Sequence, residues 1–328
     1  MHFDVFNGDA DGICSVVQLR LAAPRASTFV SGAKRDVALL DRVRAGAGDS
    51  VTVLDVSAHD NRAAIERLVR DGAALEYFDH HYAGDAPLPP GLIAHIDTSP
   101  HVCTGMLVDR HLHGRQRIWA VVAAFGDNLI DAACDLAAPI AANAGALEAL
   151  KDLGDTLTHN SYSDRPEDAL IPPAALARLL IASGDPLRFI ATTAAYATMD
   201  AARRSDVMLA RDVEPACSVP GAMVYVLPDA PWARRVRGIF GNEIANAHPA
   251  LAHAVVTVRD DGDYAVSVRA PRERPQGADA LCRRFGGNGR EAAAGIEKLP
   301  RDKLGELVAR LEETYASAIA PGRTSPSS

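Results

Sequence analysis

The sequence predicts an α/β protein of two domains: a parallel-sheet N-terminal domain joined through a helical connection to a smaller α/β C-terminal domain. Three observations carry this. The chain has 328 residues, enough for two separate cores. Its first eighty residues alternate short β-branched runs with helix-periodic segments, the pattern of a helix-covered parallel sheet. Near residue 220 the stretch EPACSVPG (Glu214 to Gly221) breaks the helical signal with two prolines and a glycine, and a second strand–helix series begins. The expected boundaries are a first domain over 1–212, a linker over 213–222, a second domain over 223–319 and a disordered tail over 320–328.

The elements follow in order. His2 to Phe6 is a short strand. Asp11 to Ala22 is a helix, with Ile13, Val16, Val17 and Leu21 near a 3.6-residue period. Thr28 to Val30 and Ser50 to Val56 are strands, Asn61 to Asp71 an amphipathic helix, and Ala74 to Phe78 a strand ending at Asp79. From Cys103 to Arg211 the signal is helical, broken at Gly126, Gly154, Pro172-Pro173 and Gly184-Asp185-Pro186. Beyond the linker, Met223 to Leu227, Ala254 to Val258 and Tyr264 to Arg269 read as strands. The last two are joined by a hairpin turn at Asp260-Asp261-Gly262-Asp263. Helices are expected over Val236 to Ala247, Gly277 to Phe285 and Asp302 to Ile319. The cluster Arg234-Arg235-Arg237 reads as helix surface. The Pro/Ser-rich tail is the segment with too little apolar content to pack.

Composition removes several function classes. The net charge is −8, which argues against duplex DNA or a membrane surface as partner, since both reward net positive charge. No uncharged run of apolar residues reaches membrane-spanning length. The N-terminus carries Asp4, Asp9 and Asp11 where a secretion signal would be apolar. Five scattered cysteines read as buried free thiols. These features lead to the expectation of a cytoplasmic protein.

The chemistry lies in acidic residues. The stretch FNGDADGICS sets Asp9 and Asp11 one residue apart at a strand end. A turn needs no more than one such residue. Asp55 closes VTVLD, and Asp79 closes LEYFD before His80 and His81. Asp127 lies in AAFGDN. Functional groups gather beyond the carboxyl ends of parallel strands, so these side chains are expected to converge. Crowded carboxylates stay ionised only beside a cation. Carboxylates with an imidazole suit Mn²⁺ or Mg²⁺, whereas a structural zinc site would want thiolates. Four acids and a histidine can hold two ions roughly 3.5–4 Å apart if one carboxylate bridges.

Taken together, Asp9-Ala10-Asp11-Gly12, Asp55, Asp79-His80-His81 and Asp127 resemble the motif series of the DHH-family phosphoesterases, the superfamily of RecJ exonucleases, nano-RNases and family II pyrophosphatases. The stretch Gly287 to Gly295 and the strand Val266 to Arg269 resemble parts of the DHH-associated domain that follows in those proteins. The resemblance implies a DHH catalytic domain, a DHH-associated substrate-binding domain and an active site in the cleft between them. It also implies roles. Asp9 and Asp55 would hold a first metal, and Asp11, Asp55, His80 and Asp127 a second, with Asp55 bridging. His81 would face the scissile phosphate and Asp79 would orient the histidines. Arg269, Gly287, Gly289 and Arg290 would bind the distal phosphate of the substrate.

Two positions depart from the family pattern. Asn7 stands where relatives place a histidine or aspartate, which gives the first metal a weaker ligand. Arg290 replaces a histidine, and as a permanent cation it can still bind phosphate. The expected activity is hydrolysis of short nucleotides, either oligoribonucleotides and dinucleotides to 5′-mononucleotides or 3′,5′-bisphosphate nucleosides. Two Mn²⁺ ions are the expected cofactors, with Mg²⁺ as the other candidate. Homodimerisation stays open. The rival readings are a single-strand exonuclease of RecJ type and a nucleotide-binding sensor that has lost hydrolysis. The first would want stacking aromatics, and aromatics are only 5% of the chain.

Overall fold

The computed structural model describes residues 1–34, 36–140, 143–163, 165–259 and 261–316. The expected disordered tail and Asp260 of the expected hairpin turn lie outside them. The chain forms two compact units, one ending at Ser205 and the other beginning at Asp206.

The first unit opens with β1 (His2–Asn7), α1 (Ala10–Ala22), β2 (Thr28–Gly32), β3 (Ser50–Leu54), α2 (Arg62–Arg70), β4 (Ala74–Asp79) and β5 (Leu92–Ile96). All pairings are parallel, in the order β2-β1-β3-β4-β5. Side-chain alternation buries both faces. Phe6, Leu54 and Phe78 pack on one side, in a core shared with Ile13, Val17, Val122 and Phe125. Val5, Val53, Leu75 and Tyr77 pack on the other, with Ile65 and Leu68 of α2. Strand β5 has no counterpart in the sequence reading. It is a half-exposed edge strand of five residues just after the prolines of residues 87–90, too short and too mixed to announce itself.

A helical layer follows: α3 (Thr104–His111), α4 (Arg117–Gly126), α5 (Ile130–Ala137), α6 (Ala144–Ser161), α7 (Pro173–Ser183), α8 (Pro186–Thr192) and α9 (Ala194–Arg211). Helix α4 is the hub. Trp119 through Gly126 are all buried, against α1, α3, α5 and α6.

The second unit carries β6 (Cys217–Val219), β7 (Ala222–Leu227), α10 (Pro231–Ala247), β8 (Ala252–Val258), β9 (Tyr264–Arg269), α11 (Ala278–Arg283), β10 (Asn288–Gly289), β11 (Ala293–Leu299) and α12 (Leu304–Tyr315). The sheet order is β10-β11-β9-β8-β7-β6; β7 and β8 run parallel and the other pairs antiparallel. Part of the expected linker is thus a strand: β6 turns at Gly221, whose φ of +81° suits glycine, and pairs with β7. The arginines of α10 also differ from expectation. Instead of lying on the helix surface, Arg234 and Arg237 are buried, with Arg237 bonded to the Thr257 hydroxyl. Of the cysteines, Cys14, Cys103 and Cys282 are buried, Cys217 is half-buried and Cys134 is exposed; all are free thiols.

Candidate metal centre

In a parallel sheet, the segments that follow the strands leave at one edge. Because β1, β3 and β4 are adjacent, the residues after Asn7, Leu54 and Asp79 emerge side by side. Asp9 caps α1: its Oδ1 accepts from the backbone N–H groups of Asp11 (3.0 Å) and Gly12 (3.2 Å). Asp11, in the first helical turn, is held from the opposite direction. Its two oxygens accept from the backbone N–H groups of Thr104 (2.8 Å) and Gly105 (2.7 Å), which open α3. A helix N-terminus favours a carboxylate there.

Asp55 follows β3 in a left-handed turn, φ +58°, a conformation aspartate tolerates better than most residues. Its backbone N–H donates to the Phe78 carbonyl at 3.0 Å, so the turn is pinned to β4. Asp79 is fully buried at the end of β4. Its Oδ1 accepts from the His80 backbone N–H (2.9 Å) and lies 2.7 Å from His81 Nδ1. Asp127 was expected at a strand end. It instead ends helix α4, where the negative end of the helix dipole adds to the cost of its charge.

His80 joins the set. Its Nδ1 lies 2.8 Å from the Val102 carbonyl. A carbonyl accepts only, so Nδ1 carries the proton and, in the neutral ring, Nε2 presents a lone pair. That nitrogen faces Asp55 Oδ1 at 3.3 Å, Asp127 Oδ2 at 3.7 Å and Asp11 Oδ2 at 3.8 Å. A lone pair aimed at three carboxylates, all within a buried centre, is a set of donors that fits a cation. Charge tells the same story. Burial, then Asp55 and Asp127, push the Asp11 carboxyl well above its ordinary range. Burial, then Asp9, do the same to Asp55. Asp9 is different: burial opposes its charge, but the Lys34 ammonium outweighs it and holds the carboxyl below the ordinary range.

Lys34 was not anticipated. It follows β2 and reaches Asp9 Oδ2, with its Nζ 3.9 Å from Asp127 Oδ1. Asn7, expected as a weak ligand, has its amide engaged within the protein. Its Oδ1 accepts from the Asp9 N–H (3.2 Å) and its Nδ2 donates to the Lys34 carbonyl (3.2 Å). Thr104 and Gly105 were likewise missed, since they act through backbone N–H groups that no side-chain motif reveals.

The remaining expected residues belong to the second unit. Arg269 donates from Nε to Asn242 Oδ1 (2.7 Å) and from Nη2 to the Gly238 carbonyl (3.3 Å). Arg290 opens the turn between β10 and β11, its N–H donating to Ala293, the residue that pairs with Arg269. Gly287 and Gly289 were expected to offer backbone N–H groups to a phosphate. Those groups are engaged, Gly287 with the Cys282 carbonyl and Gly289 with Asn288 Oδ1. The reason for glycine at 287 is packing, because a methyl there would run into the Gly295 carbonyl.

No protein-family model and no curated protein matches the sequence. Solved structures do. An exonuclease RecJ bound to manganese superposes with a TM-score of 0.56 at 16% identity, over 97% of this chain and 91% of that one. RecJ from Thermus thermophilus in complex with Mn²⁺ gives 0.57 at 17% identity, over 97% of this chain; this chain spans about half (52%) of that protein. A pGpG-specific phosphodiesterase, PggH from Vibrio cholerae, gives 0.55 at 14% identity, over 97% of this chain and all (100%) of that one. The chain therefore shares the α/β fold of these proteins. Among the described residues, no helix is long and apolar enough to cross a membrane.

Proposed function

We propose that the protein is a divalent-metal-dependent phosphoesterase acting on short nucleotides, with Mn²⁺ as the preferred ion and Mg²⁺ as the alternative. The observation that carries this is His80 Nε2 set among the carboxylates of Asp11, Asp55 and Asp127. Those four residues would hold the ion, which when bound activates a water and stabilises charge on the phosphoryl oxygens. The rest falls to the protein. Asp79 fixes the His81 ring by accepting from Nδ1–H, so that in the neutral ring Nε2 presents a lone pair that can take up a proton. Hydrolysis takes one proton from the attacking water and gives one to the leaving oxygen, and His81 is the group proposed to handle it. Arg269 and Arg290 are proposed to bind the distal phosphate, as charge-assisted donors.

The preferred substrates are di- to oligoribonucleotides, cut to 5′-mononucleotides, or 3′,5′-bisphosphate nucleosides. The net charge of −8 disfavours long strands. The test is a screen with Mn²⁺ against dinucleotides, bisphosphate nucleosides and a single-stranded 20-mer, with chelator as control. Turnover of the short substrates that vanishes with chelator and returns with Mn²⁺ is expected. Full activity in excess chelator removes the metal reading, and preference for the 20-mer replaces the substrate class with that of a processive exonuclease.

A further inference from the structure

We propose that the ammonium of Lys34 takes the place of the first divalent ion, so that the centre holds one Mn²⁺ beside one permanent side-chain cation. This rests on the metal-dependent reading above and revises its expected ion count from two.

Four observations lead here. First, β2 runs parallel to β1 and pairs with it, so the residues after Gly32 leave at the same edge as Asn7 and Asp9. Lys34 is therefore a resident of this edge by topology. Second, its backbone is fastened on both sides. The Lys34 N–H donates to the Ser161 carbonyl at 2.8 Å, and its own carbonyl accepts from Asn7 Nδ2 at 3.2 Å. Third, Nζ contacts Asp9 Oδ2, on a carboxylate that a first ion would otherwise have to neutralise, and lies 3.9 Å from Asp127 Oδ1. Fourth, two donors of that position are already in use. Asp9 Oδ1 accepts from two backbone N–H groups, and Asn7 Oδ1 accepts from the Asp9 N–H.

The other side of the centre contrasts. Among the described residues, the ligand atoms of Asp11, His80 and Asp127, and those of Asp55, His80 and His81, lie within 4.8 Å of one another, while Asp9 belongs to no such group. The asymmetry explains Asn7. A histidine or aspartate there would offer an ion a stronger ligand; the amide instead accepts from the Asp9 N–H through Oδ1 and donates to the Lys34 carbonyl through Nδ2. Lysine is a compact point charge on a flexible stem, able to fill an ion's position without dissociating on dilution or chelation.

The test counts ions rather than turnover. The full chain is equilibrated with Mn²⁺, and bound metal is measured by elemental analysis and electron paramagnetic resonance. The expected result is one Mn²⁺ per chain with the spectrum of an isolated ion. The double variant Asn7→Asp/Lys34→Ala should bind a second, with the broadened spectrum of an exchange-coupled pair, while Lys34→Arg keeps one. Two coupled ions in the unaltered protein overturn the inference and leave the metal reading standing. No bound ion overturns the metal reading and the inference with it. One ion in a folded double variant also overturns the inference, because Lys34 is then not what excludes the second. The count in the unaltered protein decides the matter even where the double variant fails to fold.

Discussion

Asp79 makes both of its contacts through one oxygen, the His80 backbone N–H and the His81 ring. It touches none of the atoms proposed to hold metal, so its contribution is to aim a histidine. That makes it separable from its neighbours. Asp79→Asn keeps the shape but removes the charge that orients the ring and stabilises it when protonated. Partners of this kind typically cost on the order of 10–100-fold when replaced. The expected outcome is a fall of that size in kcat, with bound Mn²⁺ unchanged. Loss of bound metal in step with kcat would instead make Asp79 part of the ion's own support. The residue scale is also where sequence reading reached furthest. Asp9, Asp11, Asp55, His80, His81 and Asp127 were all visible, because each is a side chain of ligand type in a short motif. Lys34 was not, for a specific reason. Convergence at the carboxyl edge of a parallel sheet is sought among ligand-type side chains, and a lysine is not one. Sought beyond Thr28–Gly32 as well, it brings the lysine two residues further on to the same edge.

At the scale of elements, the centre depends on how closely α3 approaches α4. Gly105 sits where the two helices meet. A methyl group there would lie 2.5 Å from Ala123 Cβ and 3.2 Å from Asp11 Oδ1. Gly105→Ala must therefore push α3 away and loosen the two N–H groups that hold Asp11. Overpacking of this kind typically costs about 1–3 kcal/mol. The expected outcome is a lower unfolding midpoint together with weaker Mn²⁺ binding. Adding Ala123→Gly should reopen the space and restore the Mn²⁺ affinity, even though a glycine inside α4 itself costs about 1 kcal/mol. If the pair binds Mn²⁺ no better than Gly105→Ala alone, helix spacing is not what Gly105 protects. Elements with strong periodicity, such as α2, or with β-branched composition, such as β3, were legible in the sequence. Those decided by tertiary pairing were not. Strand β11 reads Ala-Ala-Gly-Ile-Glu-Lys-Leu, a composition poor in strand formers, and it exists because β9 pairs with it. In the hairpin it forms with β10, Gly287 packs against the Gly295 carbonyl and Gly289 against Ala294, leaving no room for a side chain at either.

For the whole molecule, the useful variable is pH. The formal net charge of −8 shrinks toward zero near pH 5.8, so colloidal association and loss of folding stability overlap on the acid side. One buried group separates them. His253, on β8, is fully buried beside His248, with ring centroids 6.1 Å apart. Burial, then the neighbouring His248, pulls its pKa down to about 4. In the unfolded chain a histidine titrates near ~6.5. Above that pH His253 is neutral in both states and imposes no penalty. Below it the unfolded chain takes a proton that the folded chain refuses, so stability falls as the pH drops from ~6.5 until the folded group also titrates. The depression in pKa corresponds to a loss of about 3 kcal/mol across that window. His253→Leu removes the linkage. Thermal unfolding of both proteins from pH 7 to pH 4, at low concentration and in chelator so that the metal-centre carboxylates contribute equally, should show a shallower acid decline for the variant. Solubility should stay lowest near pH 5.8 in both, since one histidine barely moves the net charge. Parallel declines for the two proteins would mean that His253 is protonated in the folded state and that its acid sensitivity lies elsewhere.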